Sequence, residues 1–75
     1  MFNVGDIVKL VGPYNGLTYH VRVHGPRVGF EDWGVFVGEI IYNEFDTEEF
    51  PGCAVGTIAD DFHIDNFEVV YHAII

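Results

Sequence analysis

The sequence predicts one small all-β domain, a partly open barrel of five short strands with no long helix. Three observations predict it. Apolar residues recur with a period of two, β-branched and aromatic side chains dominate, and Gly or Pro punctuates the chain about every ten residues. The 75 residues suit a single domain that buries only roughly 60–65% of its unfolded surface, so each large apolar side chain matters. An apolar content of 49%, with 16% aromatic residues, supplies a core and argues against disorder despite a net charge of −9.

The first strand is expected from about Asp6 to Val11, with Val8 and Leu10 on one face and Ile7 and Lys9 on the other. Pro13-Tyr14-Asn15-Gly16 turns the chain, because Asn-Gly adopts positive φ at little steric cost. The second strand, about Leu17 to His24, has the clearest alternation: Tyr19, Val21 and Val23 against His20, Arg22 and His24. A loop from Gly25 to Gly34 carries Trp33. The third strand, about Val35 to Tyr42, is the most apolar, and Gly38 within it predicts a bulge or sharp bend. An acidic loop follows from Asn43 to Gly52. The fourth strand is read at about Cys53 to Ala59, Asp60 to Asn66 as a tight or 3₁₀ turn, and the last strand as Phe67 to Tyr71.

Both ends of the chain carry a resemblance. Phe2-x-Val4-Gly5-Asp6-x-Val8-x-Leu10 is similar to the opening strand of many SH3-like proteins, and Asp61-Phe62-His63-Ile64-Asp65-Asn66-Phe67-Glu68-Val69-Val70 resembles their closing turn and strand. Such endings recur in uncharacterised phage-encoded barrels of about this size. The resemblance implies a small five-stranded SH3-like barrel and a bacteriophage or prophage origin, and it carries over no catalytic residue. The chain departs from that pattern in having Phe62 and His63 where tryptophan is frequent, and in its acidic loop.

Charge is uneven. Lys9, Arg22 and Arg27 are the only strong cations, whereas Glu31, Asp32, Glu39, Glu44, Asp46, Glu48, Glu49, Asp60, Asp61, Asp65 and Glu68 follow without one Lys or Arg. This field repels phosphate, so direct nucleic-acid binding is disfavoured and a basic protein partner is favoured. The same charge also serves solubility. The expected partner-binding set is Glu31, Asp32, Trp33, Glu44, Asp46, Glu48, Glu49, Asp60 and Asp61. His20, Arg22, His24 and Arg27 form a basic stripe expected to meet the acidic loop of its own chain or of a second copy. Tyr14, Tyr19, Phe30 and Trp33 are candidates to line a groove for proline-rich peptides, or to cover one end of the barrel.

Catalytic signals are weak. Serine is absent, and the single cysteine, Cys53, has no histidine near it in sequence. It reads as a structural thiol whose pKa the surrounding carboxylates would raise. Asp60-Asp61-x-His63-x-Asp65 has oxygen and imidazole donors suited to a divalent ion, but it lacks the glycine and terminal glutamate of a calcium loop. It reads as a turn, and the expectation is no enzyme, no metal and no cofactor. The N-terminus is neither basic nor apolar enough for a signal peptide, and no apolar run approaches a membrane span, so a cytoplasmic location is expected.

The apolar tail, with Val69, Tyr71, Ala73, Ile74 and Ile75, is expected to pair with an edge strand of its own chain or of a second subunit, making a homodimer. Three readings result. The first is an acidic protein-binding module, in phage guise an inhibitor whose carboxylates imitate nucleic-acid phosphates. The second is an assembly protein that oligomerises through its tail. The last and least favoured is a small metal-dependent enzyme or sensor using Asp60, Asp61, His63 and Asp65.

Overall fold

Five antiparallel strands are described within residues 1–73 of the computed structural model: β1 (Ile7–Leu10), β2 (Tyr19–Pro26), β3 (Val35–Asn43), β4 (Ile58–His63) and β5 (Phe67–Tyr71). They form one sheet in the order β4-β3-β2-β1-β5. Short 3₁₀ turns at Glu31–Trp33, Pro51–Cys53 and Ile64–Asn66 join them, and no α-helix occurs among the described residues. Among the described residues no helix is long and apolar enough to cross a membrane.

The period-two pattern becomes a one-sided core. Val8 from β1, Val21 and Val23 from β2, Phe36 and Ile40 from β3, Phe62 from β4 and Phe67 from β5 are all buried. Phe36 is the hub, with its ring centroid 5.5 Å from those of both Phe62 and Phe67, which themselves lie 5.7 Å apart. Phe62 and Phe67 belong to the two edge strands. The sheet therefore bends until its edges share one aromatic cluster, although no ladder joins β4 to β5.

The expected turn at Asn15-Gly16 has positive φ at both residues, 56° and 79°. The expected irregularity at Gly38 is present as well. Gly38 is buried, and the β3–β4 register shifts between it and Phe36. A Cβ there would run into the Val21 side chain and lie 2.9 Å from the Arg22 carbonyl oxygen, so this crossing of β2 and β3 needs glycine.

The fourth strand lies further along the chain than the sequence predicts. Cys53 ends a 3₁₀ turn, Val55-Gly56 forms a further turn closed by Thr57 N–H donating to the Ala54 carbonyl at 3.1 Å and tied to β3 by Gly56 N–H donating to the Ile40 carbonyl at 2.7 Å, and the strand begins at Ile58. The carboxylates that suggest a turn at Asp60-Asp61 lie instead on an edge strand, where charge is tolerated and discourages pairing with another sheet. Gly38 opposes Ala59 while Phe36 opposes Phe62, so β4 carries one extra residue at this point. That bulge lets Asp60 and Asp61 both be exposed before Phe62 returns to the core. The predicted 3₁₀ turn survives only at Ile64–Asn66.

The C-terminal tail, over the residues described, folds back on its own chain. Val8 pairs with Val69 and Ile7 with Tyr71. Beyond them, Ala73 N–H donates to Asp6 Oδ1 at 2.9 Å, and Asn3 N–H donates to Asp6 Oδ2 at 2.9 Å. Asp6, only 1% exposed, thus clasps both ends of the chain. Those two N–H groups, Ala73's foremost, hold its carboxyl below the usual aspartate range. Ile74 and Ile75, expected to take part in oligomerisation, lie outside the described residues.

Candidate functional site

The cations of the chain are consumed within the sheet. Lys9 Nζ lies 3.2 Å from Glu68 across β1–β5, Arg22 Nη1 lies 3.7 Å from its cross-strand neighbour Glu39, and Arg27 Nε lies 3.5 Å from Asp60. His24 also faces Glu39, at 3.8 Å. Arg22, His24 and Arg27 of the basic stripe therefore meet strand carboxylates, while His20 packs on the Tyr42 ring at 4.9 Å, and the acidic loop is left without a cation. Register explains this, because residues opposite one another on adjacent strands meet without any loop having to fold over.

The acidic loop divides into two kinds of carboxylate. Glu44 accepts hydrogen bonds from Thr18 N–H at 2.8 Å and from the Tyr42 hydroxyl at 2.9 Å, so it staples the start of β2 to the end of β3. The bond to Glu44 raises the Tyr42 pKa. Asp46 Oδ1 accepts from Glu48 N–H at 2.9 Å and shapes the loop itself. The side-chain carboxylates of Glu48 and Glu49 have no hydrogen-bond or ionic partner among the described residues, and neither do those of Glu31, Asp32 and Asp61.

These partner-free carboxylates fall at different places. Glu31 and Asp32 sit in the turn before β3, and Glu48 and Glu49 follow β3, whose nine residues span up to about 26 Å. Trp33 stands beside the first pair, 69% exposed, its ring edge-on to Phe30 at 6.0 Å. The Arg27 guanidinium covers Phe30 at 4.1 Å from its ring centroid. Tyr14 and Tyr19 belong to a separate cluster, each packing on Phe45 at 6.2 and 6.1 Å. The four aromatics expected to line one groove are thus split between two ends of the molecule.

A cleft of about 430 Å³ opens between β4 and the ends of β1, β2 and β5. Leu10, Ile40, Phe62 and Phe67 provide apolar wall, Cys53 and Gly52 close one side, and Tyr19, Asp61, His63 and Asn66 bring polar groups. The Tyr19 pKa is pushed up to about 12, chiefly by burial and further by the charges of Cys53 and Asp61. Its hydroxyl is therefore neutral at physiological pH. The Cys53 thiol is also pushed up, and the cause is burial rather than the neighbouring carboxylates expected from sequence. A thiol so held is a poor nucleophile.

The Asp60-Asp61-His63-Asp65 motif does not converge on one point. Asp60 faces Arg27, Asp61 and His63 line the cleft, and His63 Nδ1 accepts the Asp65 N–H at 3.2 Å and lies 3.6 Å from the Asp65 carboxylate. Among the described residues no three His, Cys, Asp or Glu side chains gather where a metal ion could be held. Sequence reasoning missed the cleft as a unit, since Tyr19, Cys53 and Asp61 come from three separate segments. The chain matches no known protein family, no curated protein and no solved structure.

Proposed function

We propose that this chain is a small non-catalytic module that docks onto a basic protein, its sheet forming an open SH3-like barrel. One observation carries the reading. Every strong cation is already paired on the sheet, whereas Glu31, Asp32, Glu48, Glu49 and Asp61 have no partner among the described residues and are all exposed. A surface of this kind speeds encounter with a positive surface and repels phosphate. Trp33, exposed beside Glu31 and Asp32, suits the role of apolar anchor, since tryptophan in such settings carries much of an interface's energy. Asp60, paired to Arg27, Glu44, bonded to Thr18 and Tyr42, and Asp46, bonded within the loop, have supporting parts.

A phage-encoded inhibitor, presenting carboxylates to a nucleic-acid-handling protein of the host cytoplasm, is the concrete form of this reading. It is tested by capture from bacterial lysate at about 50 mM and about 500 mM salt, which span weak and strong screening. A basic protein retained at low salt, lost at high salt and lost with Glu48→Lys/Glu49→Lys is the expected result. Capture unaffected by salt or by charge reversal would reduce the carboxylates to a solubilising role.

A second reading, assembly through β5, is favoured by one observation. β5 is a sheet edge on which Val70 and Tyr71 are exposed. The homodimer would form along that edge, with Val69 and Ala73 already turned to their own chain. Val70→Lys/Tyr71→Lys then converts a dimer to a monomer in sedimentation; a wild type that is already a monomer removes this reading.

A further inference from the structure

Resting on the docking reading above, we propose that the cleft beside β4 receives a single lysine or arginine side chain of the basic partner, with its charge opposed by Asp61. At about 430 Å³ the cleft lies within the range of small-ligand sites, roughly 300–1,000 Å³, and admits one long side chain with room to spare. Its chemistry is two-sided in the way such a side chain is. The walls of Leu10, Phe62 and Phe67 suit an alkyl stem, and the rim carries a carboxylate.

Three features favour a cation over other occupants. Among the described residues Asp61 is the only carboxylate lining the cleft, and His63 is the only basic side chain that shares the lining with it. The bulge on β4 is what frees it, because the extra residue exposes Asp61 as well as Asp60, and only Asp60 is neutralised by Arg27. Tyr19 adds a neutral hydroxyl and an aromatic ring, both attractive to an organic cation and neither a competitor for the carboxylate. An anion would meet Asp61 and the field of a chain with net charge −9.

Position ties the cleft to the docking surface. Gly52 and Cys53, which form one side of it, belong to the same β3–β4 connection that bears Glu48 and Glu49. A basic segment drawn to that loop passes the mouth of the cleft. The cleft then selects for one basic side chain, while the loop supplies long-range attraction.

The test needs no partner. Isotope-labelled protein is titrated by heteronuclear NMR with n-butylammonium, n-butylguanidinium, n-butanol and butyrate, following the amides of Cys53, Asp61 and Phe62. At least one cation is expected to shift these amides saturably, about fivefold more tightly than n-butanol, the upper end of what an exposed ion pair supplies. Which cation binds better decides between lysine and arginine. The preference is lost in Asp61→Asn and kept in Glu48→Lys/Glu49→Lys, with unchanged spectra elsewhere confirming the fold. Equal binding of n-butanol and both cations, or a preference that survives Asp61→Asn, overturns the assignment. A chain that binds the cations at Asp61 yet captures no basic protein overturns the docking reading and upholds the cleft as a cation site.

Discussion

The two edges of the sheet occupy equivalent places in the topology and have been put to different uses. β5 is tied down. It pairs with β1 from Phe67 to Tyr71 around an extra residue at Val70, Lys9 meets Glu68 across the ladder, and Asp6 grips Ala73 beyond the last strand residue. β4 is interrupted by its bulge, exposes Ile58, Asp60 and Asp61, and forms the lip of the cleft. Both ladders are irregular, but hydrogen bonds to the buried Asp6 hold the chain ends together at one edge, while the extra residue at the other exposes two carboxylates. A domain with so little core can loosen one edge because Phe62 and Phe67 still anchor both to Phe36.

The sharpest way to break the comparison is Phe36→Ala, which removes the ring both edges share. A loss of about 3–5 kcal/mol is expected in denaturant unfolding, enough to leave a domain of this size largely unfolded. Gly38→Ala comes next. The new methyl meets Val21 and the Arg22 carbonyl, so a loss of about 1–3 kcal/mol is expected, with β4 amides exchanging faster than those of β5.

Acid should discriminate between the edges. The Asp6 carboxyl is held below its ordinary 3.8, so its contribution is complete above that value and is lost as the pH falls through the lowered folded-state value. Thermal melts of the wild type should therefore decline below about pH 4, with Ala73 and Asn3 amides losing exchange protection first. Asp6→Asn should be less stable at neutral pH and lack that decline. A wild type whose melts follow the variant's pH profile would show that the clasp contributes nothing.

Alkali probes the other side. Tyr19 holds its proton until about 12, so its contribution is complete below the ordinary 10 and is lost as the pH rises through 12. Tyr19→Phe should remove one late-titrating phenol from a spectrophotometric titration and flatten the alkaline loss of stability. The smallest effect belongs to the Asp60–Arg27 pair. Both groups are substantially exposed, and Asp60→Asn should change stability by less than about 1 kcal/mol.

What the sequence made legible follows from the range of each interaction. The alternation of Tyr19 to His24 and the Asn15-Gly16 turn are local, and both are present as read. The bulge signalled by Gly38 is also present, at the register shift between β3 and β4. β4 was misplaced because Asp60-Asp61 has the composition of a turn, and only pairing with β3 makes it an edge strand. The cleft and the clasp could not be read at all. Asp6 and Ala73 are 67 residues apart, and nothing in either marks the other. Glu44 similarly looked like one more loop charge until Thr18, 26 residues earlier, supplied its donor.

The clasp also fixes how the domain yields to force. β1 and β5 run antiparallel, so residues 1 and 73 leave the sheet at the same end. Tension applied to the two termini acts across that ladder instead of along it. The Asp6–Ala73 link takes the load first, then the Ile7–Tyr71 pair, and rupture proceeds one rung at a time to Leu10–Phe67. A copy fused at both ends between larger bodies would open like a zip from this edge, at low load, while β2 and β3 remained joined.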